Sequence, residues 1–200
     1  HELVDIDPAR DRRRPIRLKF RSHETGELIS VECRRLILAM GALVTPYFVR
    51  RFRLGRNWRL AGENLSVHPA AKLFAYFDDL VNGWNGVPQG VGFVLGGKEE
   101  IRYEGIFTPP DLAAITMPIE GRRLKWWMDR FSRVATFGFM IRDESRGRVR
   151  YPLGPGYPYV RYVMTHEDRR LMIEGMKTVA NVFFAAGAKK VILPINRKTN

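Results

Sequence analysis

Small residues and a proline follow a short apolar run in the first quarter of the chain. They are Ala39, Gly41, Ala42, Thr45 and Pro46. Small residues at the carboxyl end of a strand let a ligand approach the backbone closely. Thr45 and Pro46 have the residue types of a helix start, with the threonine as cap and the proline in the first turn. This pattern indicates a ligand-binding turn.

A glycine-asparagine loop lies further along the chain and ends at a histidine. Its marked residues are Gly62, Asn64 and His68, and Pro69 follows them. The pattern changes to strand directly after Pro69, and binding pockets occur preferentially at domain junctions. His68 is therefore a candidate ligand contact, although a structural hydrogen bond accounts for it equally well.

The remaining reactive side chains support no familiar catalytic or metal site. The four histidines are His1, His23, His68 and His166, and none of them pair at metal-ligand spacing. With Cys33 as the single cysteine, we expect neither a bound metal nor an internal disulfide. No Ser-His-Asp or Gly-x-Ser-x-Gly pattern indicates a hydrolase. The glycines between 90 and 96 are spaced wrongly for a dinucleotide fingerprint, and the residues between them predict a strand.

The chain is strongly basic, with 34 Lys and Arg against 21 Asp and Glu and a net charge of +13. Such an excess suits a module that binds nucleic acid or another anionic surface, and that alternative stays open. The basic residues are scattered along the sequence, so we expect no nucleic-acid partner. No apolar run approaches the roughly 20 residues that span a bilayer, and the first residues lack a signal-peptide pattern. We expect no transmembrane segment and favour a cytoplasmic location.

The elements that position the marked residues follow from the hydrophobic periodicity. We expect a loop over Asp5–Arg14 and then a β-hairpin, with strands at Ile16–Phe20 and Leu28–Cys33 around a turn at Gly26. The run Leu36–Ala39 is apolar on both faces, which predicts a central strand of a covered, parallel-type sheet.

From Ala70 onward, short strands dominate and a long helix follows them. Strands are predicted at 73–77, 91–95, 101–107, 134–141, 148–151, 158–163 and 188–193, with short helices after Pro109 and over 122–131. The clearest helix runs from Thr165 to about Ala186. Thr165 and Asp168 form its capping pair, and Gly187 stops it.

These elements predict an α/β (α+β) fold in two parts, with a boundary near Pro69. Residues 1–69 would be the carboxy-terminal part of one domain. Residues 70–200 would form a second, incomplete domain with a mostly antiparallel sheet and packed helices. The chain begins with His1 and ends soon after a predicted strand, so we expect it to be an internal piece of a longer protein.

The order of these segments resembles the glucose-methanol-choline (GMC) oxidoreductases, which are FAD-dependent alcohol dehydrogenases and oxidases. The matching segments are Leu38-Ala39-Met40-Gly41-Ala42, Thr45-Pro46 and Gly62-Glu63-Asn64-Leu65. Met40 and Val67 depart from the family pattern. The departure at Val67 resembles the long-chain-alcohol and sterol oxidase side of the family.

The resemblance implies that residues 1–69 are the tail of a Rossmann-like FAD-binding domain and that 70–200 form a substrate-binding domain. It implies FAD contacts for Ala39, Gly41, Ala42, Thr45, Pro46, Gly62, Asn64 and His68. An alcohol, apolar or long-chain, would give a hydride from its CH–OH group to flavin N5 while a base takes the hydroxyl proton. The electron acceptor is left open.

Two family segments are absent from these 200 residues. One is the amino-terminal Gly-x-Gly-x-x-Gly phosphate loop, and the other is the carboxy-terminal segment with the catalytic histidine. We therefore expect no catalytic residue in this chain and little activity from it alone. Another two-domain flavoprotein, such as a hydroxylase, would share the strand-glycine-helix piece, and that alternative stays open as well.

Overall fold

The computed structural model of the chain describes residues 1–8, 14–97, 99–154 and 156–195. The strands are β1 (Glu2–Asp7), β2 (Ile16–Arg21), β3 (Leu28–Cys33), β4 (Glu63–Leu65), β5 (Ala70–Tyr76), β6 (Gly92–Phe93), β7 (Ile101–Gly105), β8 (Val134–Ile141), β9 (Gly147–Arg150), β10 (Tyr159–Arg161) and β11 (Lys190–Ile192). The helices are α1 (Thr45–Arg51), α2 (Pro110–Thr116), α3 (Gly121–Met128) and α4 (His166–Ala185). The described strand pairs are antiparallel, as we expected for most of the sheet structure.

The chain divides into two compact units. The first consists of His1–Leu65 and Arg146–Val163, and the second of Ser66–Ser145 and Met164–Asn200. The sequence pattern gave no sign that a segment as late as 146–163 folds with the amino-terminal residues. The assignment of 1–69 to an FAD-binding domain and of 70–200 to a substrate domain concerns their roles, and it stays a prediction.

In the first unit, β1, β2 and β3 form a three-stranded sheet in chain order. The predicted hairpin of β2 and β3 is confirmed, with Ile16 opposite Cys33 and Arg21 opposite Leu28. Its turn needs a left-handed residue, and Gly26 supplies a φ of 74°. The backbone N–H of Gly26 donates to the carbonyl of Ser22 at 3.0 Å, which closes the turn.

The predicted loop over Asp5–Arg14 is wrong at its beginning, because β1 extends to Asp7 and pairs with β2. Residues 9–13 lie outside the described part of the chain. Burial explains the strand, since the side chain of Ile6 is 2% exposed and packs with Leu18 and Phe48. The polar neighbours of Ile6 hid this apolar face in the sequence.

The predicted central strand at Leu36–Ala39 is also wrong, because the backbone there forms neither strand nor helix. Ile37 is 87% exposed, whereas Leu36 and Leu38 pack partly against the cluster around Phe48. A covered strand needs hydrogen-bonding neighbours on its edges, and the described residues place none beside this run. The run is therefore a segment without regular secondary structure, and Leu36 and Leu38 hold it on the core.

The second unit is built on a five-stranded sheet in the order β11-β5-β8-β7-β6. Successive side chains of β5 point to opposite faces, as strand geometry requires. Leu73 and Ala75 pack in a cluster with Val179 and Phe183 of α4. Phe74 packs in a second cluster with residues of α2 and α3, including Trp127. Helices therefore cover both faces of the sheet, and the mixed α/β fold with packed helices is confirmed.

Helix α4 begins and ends as its sequence predicts. The hydroxyl of Thr165 accepts from the backbone N–H of Asp168 at 3.0 Å, and the carboxylate of Asp168 accepts from the backbone N–H of Thr165 at 3.4 Å. This is a capping box. At the other end, Gly187 has a φ of 95° and terminates the helix. None of the described helices is both long enough and apolar enough to cross a membrane.

The Asp168 carboxylate also holds the turn that follows β8. It is completely buried and accepts from the backbone N–H groups of Glu144 at 3.0 Å and Ser145 at 3.1 Å, and from the Ser145 hydroxyl. Burial by itself would raise the pKa of Asp168. The donated hydrogen bonds, led by that of Ser145, outweigh burial and lower the pKa from 3.8 to about 2.

We expect Asp168→Asn to lower the free energy of unfolding of the second unit by roughly 1–3 kcal/mol, because an amide leaves buried donors unpaired. Since the folded-state pKa is depressed, this contribution is present above pH 4 and is lost as the pH falls towards 2. Urea unfolding at neutral pH measures the effect. Glu174→Gln on the exposed face of α4 is the control, and an equal loss in both variants would contradict the role of the carboxylate.

Helix α4 packs tightly on β8 at Gly175, where a Cβ would lie 2.3 Å from a ring carbon of Phe139. Gly175→Ala would gain about 1 kcal/mol of helix propensity at an ordinary position. Here we expect a net destabilisation of roughly 1–3 kcal/mol because the core is overpacked. The double variant Gly175→Ala with Phe139→Leu should recover part of the loss in thermal unfolding. Additive effects of the two substitutions would show that the contact is not the cause.

Candidate functional site

The predicted binding turn adopts a defined backbone conformation in the first unit. The carbonyl of Gly41 accepts from the backbone N–H of Thr45 at 3.0 Å and of Val44 at 3.3 Å. Gly41 has a φ of 78°, which a residue with a side chain rarely adopts. The turn leads directly into α1, where Phe48 is buried in the core of this unit. The short helix thus fixes the end of the turn.

Thr45 does not cap α1 as expected. It is the first residue of the helix, Val44 precedes it as the cap, and no side chain caps this end. The Thr45 hydroxyl instead accepts from the backbone N–H of Met40 at 3.2 Å. The threonine therefore ties the two ends of the turn together. Pro46 occupies the first turn of the helix, as predicted.

The small residues of this turn face solvent. Ala39, Gly41 and Ala42 are exposed, and a Cβ added to Gly41 would meet no atom within 4 Å among the described residues. The backbone at Gly41 is therefore open to close approach by a ligand. This geometry fits the expected contact with the nucleotide part of a dinucleotide cofactor, which is bound largely through backbone groups and close approach.

Gly62 is required for a different reason. A Cβ at this position would lie 2.7 Å from the carbonyl oxygen of Val149 in β9 and 3.5 Å from the Cβ of Pro46. The Gly62 carbonyl also accepts from the backbone N–H of Val149 at 2.7 Å. Gly62 is thus a packing glycine, and it joins the helix start at Pro46 to the sheet of β10, β9 and β4.

Asn64 lies at an irregularity in β4. Glu63 pairs with Arg148 and Leu65 with Gly147, so Asn64 is the extra residue of a bulge. It has a φ of 57°, a conformation that asparagine tolerates better than most residues. A bulge redirects a side chain away from the regular strand alternation. Asn64 is exposed, and its amide is available to a ligand.

His68 belongs to the second unit and lies between β4 and β5. Its side chain is exposed. Its neighbour Ser66 donates a hydrogen bond to the carboxylate of Asp143 at 3.2 Å, which holds this segment against the end of β8. The first unit thus brings together seven of the eight predicted cofactor residues, from Ala39 to Asn64, and His68 is placed separately by the second unit.

Comparison with known proteins identifies curated relatives of this chain. No protein-family model matches the chain. An uncharacterised GMC-type oxidoreductase of Mycobacterium tuberculosis is 34% identical over 171 residues, which is 85% of this chain and 27% of that protein. Over most of its length the chain is similar to GMC-type oxidoreductases. A long-chain-alcohol oxidase of Arabidopsis thaliana is 26% identical over 83% of the chain, and a GMC-type oxidoreductase of Sinorhizobium fredii is 26% identical over 86%.

The chain spans between about a quarter and a third of the length of these curated relatives: 27% for the mycobacterial protein, 23% for the plant oxidase and 33% for the Sinorhizobium protein. The family resemblance noted from the turn and the Gly62–Leu65 segment is confirmed by these matches. Similarity to oxidoreductases of the GMC type is therefore shown, whereas the roles of the individual residues stay predictions. Among the described residues, no group of three or more His, Cys, Asp or Glu side chains could hold a metal ion.

Two residues of structural interest escaped sequence reasoning. Lys72 is half-buried in β5, and its charge within an otherwise apolar strand was a visible signal. Tyr151 lines a small cleft of the first unit with three arginines, and its hydroxyl is buried. Burial raises the pKa of Tyr151. No local sequence pattern predicts the burial of the Tyr151 hydroxyl, because its surroundings are assembled from distant segments.

The two marked glycines should respond differently to the same substitution. Gly62→Ala adds a steric clash to the strain of a positive φ, so we expect a loss of roughly 2–4 kcal/mol in unfolding free energy. Gly41→Ala adds strain alone, and we expect about 1 kcal/mol. Urea unfolding of the two variants measures the difference. Equal losses would contradict the packing role of Gly62.

Proposed function

We propose that this chain is the central part of an FAD-dependent alcohol oxidoreductase of the GMC type. The match to GMC-type oxidoreductases over 85% of the chain carries the proposal. The plant relatives are named long-chain-alcohol oxidases, which favours an alcohol, apolar or long-chain, as the substrate. The exposed turn around Gly41 supports the same conclusion, because it offers a cofactor an open backbone surface.

The residues of the first unit would bind and orient the cofactor. Gly41 and Ala42 would allow the nucleotide part of FAD to approach the backbone, and the Asn64 amide would donate or accept a hydrogen bond near the flavin. Thr45 would keep the turn in its binding conformation through its bond to Met40. A bound flavin would supply the hydride acceptor for the alcohol CH–OH group. We assign no proton-transfer role to a residue of this chain.

The complete gene product tests the proposal. We expect the purified protein to be yellow, with the absorption bands of bound flavin, and to oxidise primary alcohols in the presence of an artificial electron acceptor. Gly41→Ala should lower the flavin content, because the new methyl group stands where the cofactor approaches. The control is Gly55→Ala, since Gly55 has a similar φ of 76° and equally open surroundings but lies outside the predicted site.

Three outcomes would count against the proposal. A colourless protein with no affinity for added FAD would exclude a flavoenzyme. A protein that instead binds nucleic acid with a steep salt dependence would favour the basic binding module. A flavin-containing protein that hydroxylates its substrate would favour another two-domain flavoprotein. Equal flavin loss in the Gly41 and Gly55 variants would reject the turn as the binding site.

A further inference from the structure

Helix α1 presents a polar face to a small cleft of the first unit. Tyr47, Arg50 and Arg51 are three and four residues apart, so their side chains lie on the same side of the helix. They line a cavity of about 280 Å³ together with Trp58, Arg150 and Tyr151. We call it the arginine cleft. Its volume is just below the roughly 300–1,000 Å³ of sites for drug-sized ligands, so it suits a single small group.

The packing of the first unit brings the end of β9 to this helix. A Cβ at Gly62 would touch both the Val149 carbonyl of β9 and Pro46 of α1, so strand and helix start lie close together. The rings of Tyr47 and Tyr151 meet edge to face, with their centroids 5.4 Å apart. The cleft is therefore assembled from segments that are distant in the sequence but belong to one compact unit.

Neutral acceptors hold two of the guanidinium groups in place. Nη1 of Arg50 donates to the carbonyl oxygens of Arg59 at 2.6 Å and Ala61 at 3.2 Å. Nη1 of Arg51 donates to the Tyr47 hydroxyl, and the same guanidinium lies 5.7 Å from the centroid of that ring. Among the described residues, Nε and Nη2 of both arginines have no hydrogen-bond acceptor. These nitrogens are therefore available to a ligand.

The positive charge of the cleft is only partly compensated. Arg150 pairs through Nη2 with Glu63. In the part of the chain that the structure describes, no carboxylate pairs with Arg50 or Arg51. Three guanidinium groups and one carboxylate thus leave two positive charges without a partner. Because like charges in one cleft repel each other, a bound anion would lower the free energy of this arrangement.

The charge and the donors favour one class of anion. A phosphate group carries about −1.5 to −2 charges at neutral pH and offers three oxygens that accept strong hydrogen bonds. Guanidinium groups match phosphate with paired, parallel donors. A carboxylate carries one charge and two acceptor oxygens, so it would leave part of the positive charge uncompensated.

We propose that the arginine cleft binds a dianionic phosphate group, either as free phosphate or as the monoester of a small molecule. Its oxygens would accept from Nε and Nη2 of Arg50 and Arg51, and an organic part would contact Trp58 in the same cleft. None of the eight predicted FAD contacts lines the cleft. The proposal goes beyond the proposed oxidoreductase function and does not depend on bound flavin.

Calorimetric titration of the complete gene product with inorganic phosphate and with phenyl phosphate, at constant ionic strength, tests the proposal. We expect saturable binding with a stoichiometry of one. Arg51→Gln should weaken it at least tenfold, because charge-assisted hydrogen bonds are lost. Arg21→Gln removes an equal charge from an exposed position of β2 outside the cleft and is the matched control. Absence of binding, or a similar loss in both variants, would overturn the proposal.

Glu63 provides a readout in the opposite direction. Its carboxylate occupies Nη2 of Arg150 and would repel a bound phosphate. Glu63→Gln removes this repulsion, so we expect phosphate to bind at least about threefold more tightly. Damage to the fold does not tighten binding, and this variant therefore decides the question even if Arg51→Gln disturbs folding. Unchanged or weaker binding to a folded Glu63→Gln protein would contradict the proposal.

Other ligands distinguish the phosphate group from anions in general. Acetate should bind at least tenfold more weakly than inorganic phosphate, and saturating FAD should leave phosphate binding unchanged. Equal affinity for acetate would reduce the effect to general electrostatics, and displacement by FAD would place the cleft in the cofactor site. Either result would reject the proposal. Tighter binding of phenyl phosphate than of inorganic phosphate would identify the ligand as a monoester, and the reverse order would identify it as free phosphate.

Discussion

The second unit depends on one buried carboxylate. Asp168 belongs to the first turn of α4, yet most of its hydrogen bonds go to the turn at Glu144 and Ser145, more than twenty residues earlier in the sequence. The chain leaves this unit after Ser145 and returns at Met164. Asp168 therefore holds together the two segments at which the chain leaves and re-enters this unit. The backbone N–H of Thr165 also donates to the Ser145 hydroxyl at 2.9 Å and ties the same segments. The segment 146–163, which belongs to the first unit, thus begins and ends at one anchored position. The same hydrogen bonds of Asp168 hold the start of α4 against the turn that follows β8.

Local chemistry explains which elements the sequence could predict. The β2–β3 hairpin needs only alternation and Gly26, and α4 needs only its capping box, its apolar stripe and Gly187. Each of these signals acts over a few residues, so the sequence shows it directly. The predicted strand at Leu36–Ala39 was wrong for the converse reason. An apolar segment becomes a covered strand only where neighbours bond to it, and sequence does not show whether they are present. Segment 146–163 folds with the first unit through the pairing of β9 with β4, which is equally non-local.

The candidate site shows that two glycines of one motif can have different structural roles. Both Gly41 and Gly62 have positive φ, and both match the family pattern. Only Gly62 is crowded by protein atoms, at the Val149 carbonyl, whereas Gly41 has open space around it. Packing within the first unit thus explains why position 62 is a glycine. At position 41, packing does not explain the glycine, and only the positive φ favours it. A ligand that approaches the backbone closely would be a second reason for a glycine there. The sequence predicted both positions, but only the structure separates them.

The net charge is less informative than the environment of single cations. Some basic residues pair on the surface, as Arg17 does with Glu32 and Arg170 with Glu167, and exposed pairs of this kind contribute little. Lys72 differs because it is half-buried beside apolar side chains and lacks an acidic partner among the described residues. A scattered excess of +13 predicts only a general attraction to anions. One half-buried ammonium, held beside the Thr108 hydroxyl and the Phe74 ring, therefore carries more structural information than the total.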